Sequence, residues 1–213
     1  LAKEWQDSVE NGTQQGLKIH IETYGCQMNV ADSDVVRAVL LKAGHVHCES
    51  HEDADVILTN TCAIREGAEE KIWNRLDYFQ SIRNKNRQLK VRKAGYPIIG
   101  ILGCMAERLK TKLLEEKSVD FVCGPDAYRD IPRLLSTVGV CGIKEANTIL
   151  SFEETYADVT PSRENKSAIS AFVSIMRGCN NMCTYCIVPF TRGRERSRDI
   201  TTILNEIQDL SDN

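Results

Sequence analysis

A chain of 213 residues, 42% of them hydrophobic, is long enough for one complete domain and part of a second, at roughly 100–200 residues per domain. Its net charge of −3 excludes a general electrostatic pull toward nucleic acid or acidic membranes, so a polyanion would have to meet a local patch. Nine cysteines cannot all pair within one chain; with no secretory pattern and no apolar run of bilayer length, free thiols or metal thiolates are expected, and no membrane contact.

Residues 1–16 show no apolar period and read as a loose arm, with the ordered core starting at Leu17. Lys18–Glu22, Asp55–Thr59, Pro97–Leu102 and Val119–Val122 are short runs rich in Ile and Val and read as strands. Helical spacing separates them. Val35, Val36, Val39 and Leu40 share one face of a helix stopped by Gly44; Ala68, Ile72, Trp73, Leu76 and Phe79 mark a second, and Met105, Leu109 and Leu113 a third. A fourth runs from Asp126 to Val138. This alternation predicts an α/β fold, an open parallel sheet flanked by helices, in a domain spanning 17–150. Residues 151–168 lose the period and read as a linker. In 169–213, a strand over Ala171–Met176, a cysteine loop, and a helix over Asp199–Leu210 with Ile200, Ile203, Leu204 and Ile207 inward make one βα unit, the incomplete start of a larger barrel or sheet.

Cys179, Cys183 and Cys186 lie within eight residues, in the loop directly after a predicted strand. Such a loop wraps one iron–sulfur cluster and leaves its fourth iron open to a small molecule. A structural zinc site closes with four ligands, and no fourth Cys or His lies nearby, since His20, His45, His47 and His51 are all far upstream. Cys26, Cys62 and Cys104 each follow a predicted strand. In a parallel sheet those positions meet at the carboxyl edge, so the three thiols either share a second cluster or are buried as small hydrophobes. Cys123 also follows a strand, whereas Cys48 and Cys141 do not.

Thr23–Asn29 (TYGCQMN), Asn60–Glu66 (NTCAIRE), Gly103–Ala106 (GCMA) and Met176 through Arg198, in that order, resemble the radical S-adenosylmethionine (SAM) tRNA methylthiotransferases that act on N6-isopentenyladenosine. The resemblance runs from about Lys18 to the end and is strongest to the animal mitochondrial branch, named for association with a cyclin-dependent kinase regulatory subunit. It implies a methylthiotransferase domain over 17–150, then the first βα unit of a radical-SAM barrel. It further implies two 4Fe–4S clusters with SAM as cofactor. The radical-SAM cluster on Cys179, Cys183 and Cys186 would cleave SAM to a 5′-deoxyadenosyl radical, with Tyr185 beside the adenine. The auxiliary cluster on Cys26, Cys62 and Cys104 would carry the sulfur, and Asn29 and Asn60 are candidates to support it. The product would be tRNA methylthiolated at C2 of the adenosine at position 37, with an electron-donor protein as further partner, in mitochondria or alternatively the cytoplasm. This segment alone is expected to bind clusters without turning over. The rival reading is a non-catalytic iron–sulfur interaction protein that regulates a kinase activator.

Two basic stretches remain. Residues 81–93 carry Arg83, Lys85, Arg87, Lys90, Arg92 and Lys93 with no acid and no interleaved aromatic, which reads first as a solvated helix end and second as a tRNA phosphate contact. Arg192, Arg194, Arg196 and Arg198 recur every second residue, so an extended chain would point all four to one side, toward RNA phosphate or the SAM carboxylate.

Overall fold

The computed structural model describes residues 2–10, 15–62, 66–89, 96–115, 118–163 and 169–212. In chain order its elements are α1 (Ala2–Glu10), β1 (Lys18–Tyr24), α2 (Gln27–Lys42), β2 (Val46–His47), β3 (Val56–Thr61), α3 (Glu66–Leu89), β4 (Ile98–Gly103), α4 (Cys104–Leu109), α5 (Lys112–Glu115) and β5 (Phe121–Cys123). A 3-10 turn (Tyr128–Asp130), α6 (Ile131–Ser136), a π turn (Thr137–Cys141), β6 (Glu145–Asn147), β7 (Met176–Arg177), α7 (Val188–Arg192), β8 (Arg196–Ser197) and α8 (Ile200–Asp212) complete it.

Six parallel strands form one sheet in the order β2-β1-β3-β4-β5-β6. Both faces are covered, which is why β3 and β4 are buried along their whole length and read as continuous apolar runs. The side-chain period of two then sorts the core. Val56, Leu58, Ile98, Leu102 and Phe121 pack with Val36 and Leu40 of α2 and Leu134 and Leu135 of α6. Ile57, Ile99, Ile101 and Val122 pack with Ile72, Leu76 and Phe79 of α3 and with Met105 and Leu113. The predicted α/β class and parallel sheet are what the fold shows.

Five local readings change. The first residues are not a loose arm: α1 lays Trp5 near His45, with ring centroids 6.1 Å apart, and buries Val9. Two apolar residues one turn apart suffice to seat a helix that its polar composition hides. The third helix is broken into α4 and α5, because Lys110 takes a positive φ of 49°. The predicted 151–168 linker has neither helix nor strand over its described residues, 151–163, but it is strapped down. Tyr156 is buried, its hydroxyl donates to Pro125 O at 3.1 Å and accepts from Tyr128 N–H at 2.9 Å, and Arg129 bonds Glu154 and Asp158. Finally, only Met176–Arg177 of the predicted last strand is paired, antiparallel to β8. In α8, Ile200, Leu204 and Ile207 face solvent and Ile203 is only partly covered. The side it turns inward is that of Glu206, whose carboxylate accepts from Arg163 and Arg198 at 2.7 Å each.

Gly100 marks a tight point of the core, since a Cβ there would sit 2.4 Å from Phe121 Cζ and 2.9 Å from Leu58 Cδ2. Gly100→Ala is therefore expected to cost about 1–3 kcal/mol, read from urea unfolding; a loss below about 0.5 kcal/mol would mean that this face repacks freely.

Candidate metal sites

The sheet places three thiols at one edge. Tyr24 is in register with Thr61, and Thr61 with Gly103, so β1, β3 and β4 end level with one another. Cys26 follows as the N-cap of α2, Cys62 directly after β3, and Cys104 as the first residue of α4. The backbone there is drawn in closely. Gly25 has φ 149°, and a Cβ on it would meet Asn29 Oδ1 at 2.4 Å and Cys62 Cβ at 2.9 Å; Gly103 has φ 86° and would meet Asn60 Oδ1 at 2.4 Å. Any side chain at either position would displace the neighbouring strand end.

Two buried amides sit beneath these cysteines. Asn29 Oδ1 accepts from the Cys26 N–H at 3.3 Å and from its thiol at 3.5 Å, while Asn29 Nδ2 donates to Asn60 Oδ1 and to Thr61 O, each at 3.2 Å. Asn60 Nδ2 donates to Asn29 O at 2.9 Å and Ser33 Oγ at 3.0 Å. The strand ends of β1 and β3 are thus cross-tied by two side chains whose hydrogen-bonding capacity is largely used.

The second trio, Cys179, Cys183 and Cys186, lies on a loop between β7 and α7. Cys179 N–H donates to Gly193 O at 3.1 Å, Glu195 N–H to Asn180 Oδ1 at 3.1 Å, and Asn181 N–H to the Cys179 sulfur at 3.4 Å. Gly178 is needed here too: its φ is 72°, and a Cβ would fall 2.0 Å from Arg194 O. Cys183 is exposed, Cys179 and Cys186 are half-buried, and Tyr185 stands almost fully in solvent.

The four arginines do not share a side. Arg192 closes α7, Gly193 turns with φ 71°, and Arg196 lies on β8, so the stretch is not extended throughout. Arg192 is buried with its Nε–H on Cys104 Sγ at 3.2 Å, and its Nη2 lies 2.7 Å from Asp32 Oδ2. Arg196 donates to Asp126 Oδ2 at 2.7 Å, and Arg198 is held by Glu206. Arg194 alone of the four is exposed. Arg177, two residues before Cys179, donates to Asp32 Oδ1 at 2.7 Å and to Pro125 O at 2.8 Å, and its Nε lies 3.5 Å from Asp126.

Burial pushes the Asp32 carboxyl upward, and the charges of Arg177 and Arg192 outweigh it, holding the group below the ordinary carboxylate range. The Tyr128 hydroxyl, which donates to Asp32 at 3.0 Å, is pushed well up by burial and then by that charge. Sequence reading did not identify Asp32, Asp126 or Arg177 as part of a site. One signal was available: the buried stripe of α2 turns from Val36 and Leu40 to Asn29, Asp32 and Ser33 at the end nearest the cysteines.

Other candidates are accounted for more simply. Cys123 is buried, its thiol donates to Ala127 O at 3.2 Å, and burial raises it well above the usual thiol range. His20, Glu22 and His51 bring ligand atoms within 4.8 Å of one another, but both Glu22 oxygens are already engaged by Arg75 and one also by Tyr24. Arg83 is turned inward onto Asp120 and Pro97 O; Lys85 and Arg87 are exposed, and Lys90, Arg92 and Lys93 lie outside the described residues.

The donor chemistry fits sulfur-ligated iron at both places: three thiols per site, glycine-tight backbone around each, and N–H donors already aimed at Cys104 and Cys179 sulfur, as hydrogen bonds to ligand sulfur are at iron–sulfur sites. Among the described residues, no helix is long and apolar enough to cross a membrane.

Residues 18–124 match a family described as "Uncharacterized protein family UPF0004". Similar curated proteins include a "tRNA-2-methylthio-N(6)-dimethylallyladenosine synthase" of Bacteroides fragilis, 56% identical over 91% of this chain and 40% of that protein. Another of that name, from Phocaeicola vulgatus, is 55% identical over 93% of this chain and 42% of its own length. The human "Mitochondrial tRNA methylthiotransferase CDK5RAP1" is 55% identical over 92% of this chain and 32% of itself. The chain thus spans 32% to 42% of the length of these relatives.

Asp32→Asn would leave the Arg177 and Arg192 guanidiniums short of a buried counter-charge and is expected to cost about 3–5 kcal/mol at pH 7. Because the folded carboxyl titrates low, its contribution is complete above the unfolded value of roughly 3.9 and fades as pH falls through the folded one. Urea unfolding of wild type and Asp32→Asn at neutral and acid pH should therefore show the gap narrowing on acidification; a constant gap would contradict this.

Proposed function

The chain belongs to the Uncharacterized protein family UPF0004, and on that premise we propose that it carries the cluster-binding part of a tRNA methylthiotransferase, one that adds a methylthio group to C2 of N6-isopentenyladenosine at tRNA position 37. One observation carries the reading: Cys26, Cys62 and Cys104 follow three strands that end level at one sheet edge, and Arg192, thirteen residues or fewer from each cysteine of the second trio by sequence, bonds Cys104 at that edge.

When bound there, 4Fe–4S clusters supply reductive cleavage of SAM on Cys179, Cys183 and Cys186, and the sulfur to be transferred on Cys26, Cys62 and Cys104. The protein's own contribution is positional. Gly178 and the Cys179 N–H bond to Gly193 O fold the Cys179–Cys186 loop against the segment that carries Arg192. Asn29 and Asn60 hold the Cys26 and Cys62 strand ends together. Tyr185, nearly fully exposed beside Cys186, presents an aromatic face for the adenine of SAM. Contact with tRNA phosphate falls to Arg194, Lys85 and Arg87, because Arg192, Arg196 and Arg198 are held in ion pairs with Asp32, Asp126 and Glu206. A protein electron donor and a mitochondrial setting belong to the same proposal, the latter supported by the name of the human relative.

Anaerobic reconstitution with iron and sulfide tests it. We expect about eight irons per chain, falling to about four in Cys26→Ala/Cys62→Ala/Cys104→Ala and equally in Cys179→Ala/Cys183→Ala/Cys186→Ala, with EPR signals lost separately. Unchanged iron in the first triple variant would reduce Cys26, Cys62 and Cys104 to core residues and remove the sulfur-transfer reading.

A further inference from the structure

The charges buried between the sheet edge and the cysteine loop do not balance. Arg177, Arg192 and Arg196 are three guanidiniums, each buried, and a guanidinium does not give up its proton inside a protein. Asp32 and Asp126 are the two carboxylates they contact. Glu107, also buried, does not alter the count, since Lys110 pairs with it at 3.2 Å. One positive charge is left over. The remaining partner in reach is sulfur: Arg192 Nε–H is aimed at Cys104 Sγ at 3.2 Å, while its far end rests on Asp32.

An uncompensated buried cation is costly, and a facing anion repays much of that cost. A cluster held by three thiolates is anionic, and it becomes more so on reduction. N–H donors on ligand sulfur and nearby positive charge both stabilise the reduced form and so raise the reduction potential.

From this we propose that Arg192 is a positioning residue for the auxiliary site, supplying the counter-charge and the sulfur hydrogen bond that set the reduction potential of the cluster on Cys26, Cys62 and Cys104. The inference rests on the cluster reading given above. Arg192 acts through Cys104, with Asp32 holding its guanidinium in place and Tyr128 holding Asp32.

The test uses the chain carrying Cys179→Ala/Cys183→Ala/Cys186→Ala, so that one cluster is present, reconstituted anaerobically and titrated by EPR against redox potential, with iron counted in the same samples. Arg192→Gln removes the charge and is expected to retain iron while its potential moves negative by about 59 mV or more, a tenfold change in the balance of reduced over oxidised forms for one electron. Arg192→Lys keeps the charge but lacks the forked N–H geometry, and its potential should fall between the two. Potentials equal to that of Arg192-containing protein, with iron retained, overturn the inference, because a merely structural residue would leave the potential unmoved. Should Arg192→Gln fail to fold by circular dichroism, Arg192→Lys decides by the same criterion. If no iron binds while Arg192 is intact, the failure belongs to the cluster reading instead.

Discussion

Asp32 sits buried where the two halves of the chain meet, accepts hydrogen bonds from Arg177 and Tyr128, and forms an ion pair with Arg192 at 2.7 Å. A buried carboxylate is tolerated only when its lone pairs are met by charged or hydrogen-bonded partners. Each partner here comes from a different element: β7, the end of α7 and the turn before α6. The segment bearing Cys179, Cys183 and Cys186 is thereby fastened to the sheet by charge rather than by an apolar interface. That explains how α8 can leave Ile200, Leu204 and Ile207 uncovered while the cysteine loop beside it still has a defined seat. It also places directional bonds where a greasy contact would allow sliding, which matters if two sites must keep a fixed separation.

The sheet edge obeys a second constraint. Parallel strands of equal register end together, and the residues after β1, β3 and β4 inherit that alignment. Three cysteines at one edge can converge only if the backbones themselves approach. Gly25 and Gly103 make this possible by having no Cβ to strike Asn29, Asn60 or Cys62, and Asn29 and Asn60 fill the remaining space with bonds rather than with apolar bulk. The local stability of the site therefore depends on neighbours that carry no metal-binding chemistry at all.

Much of this was legible in the sequence where the physics is local. Alternating Ile/Val runs and helical stripes gave the parallel sheet, and Cys179, Cys183 and Cys186 announce themselves by spacing. Cys26, Cys62 and Cys104 are 36 and 42 residues apart, and only the order of the strands brings them to one edge. The arginines were harder, because a charged residue is ordinarily placed in solvent unless its partner is known. Asp32 lies 145 residues from Arg177, so no window reveals the pairing. The α8 face shows the converse error: a helical stripe predicts burial only if the chain supplies something to bury it, and here Glu206 and its two arginines take the inward side.

The buried ion pairs constrain how RNA could approach. Four arginines in alternation look like a phosphate-binding comb, but three of them are committed to Asp32, Asp126 and Glu206 at 2.7 Å. Turning any one outward to a phosphate would give up an ion pair with a buried carboxylate, a cost comparable to what a phosphate contact returns. The cations therefore serve the inside of the protein, where low dielectric makes them strong, and leave Arg194 facing outward. Electrostatic attraction for a polyanion on this face is consequently modest.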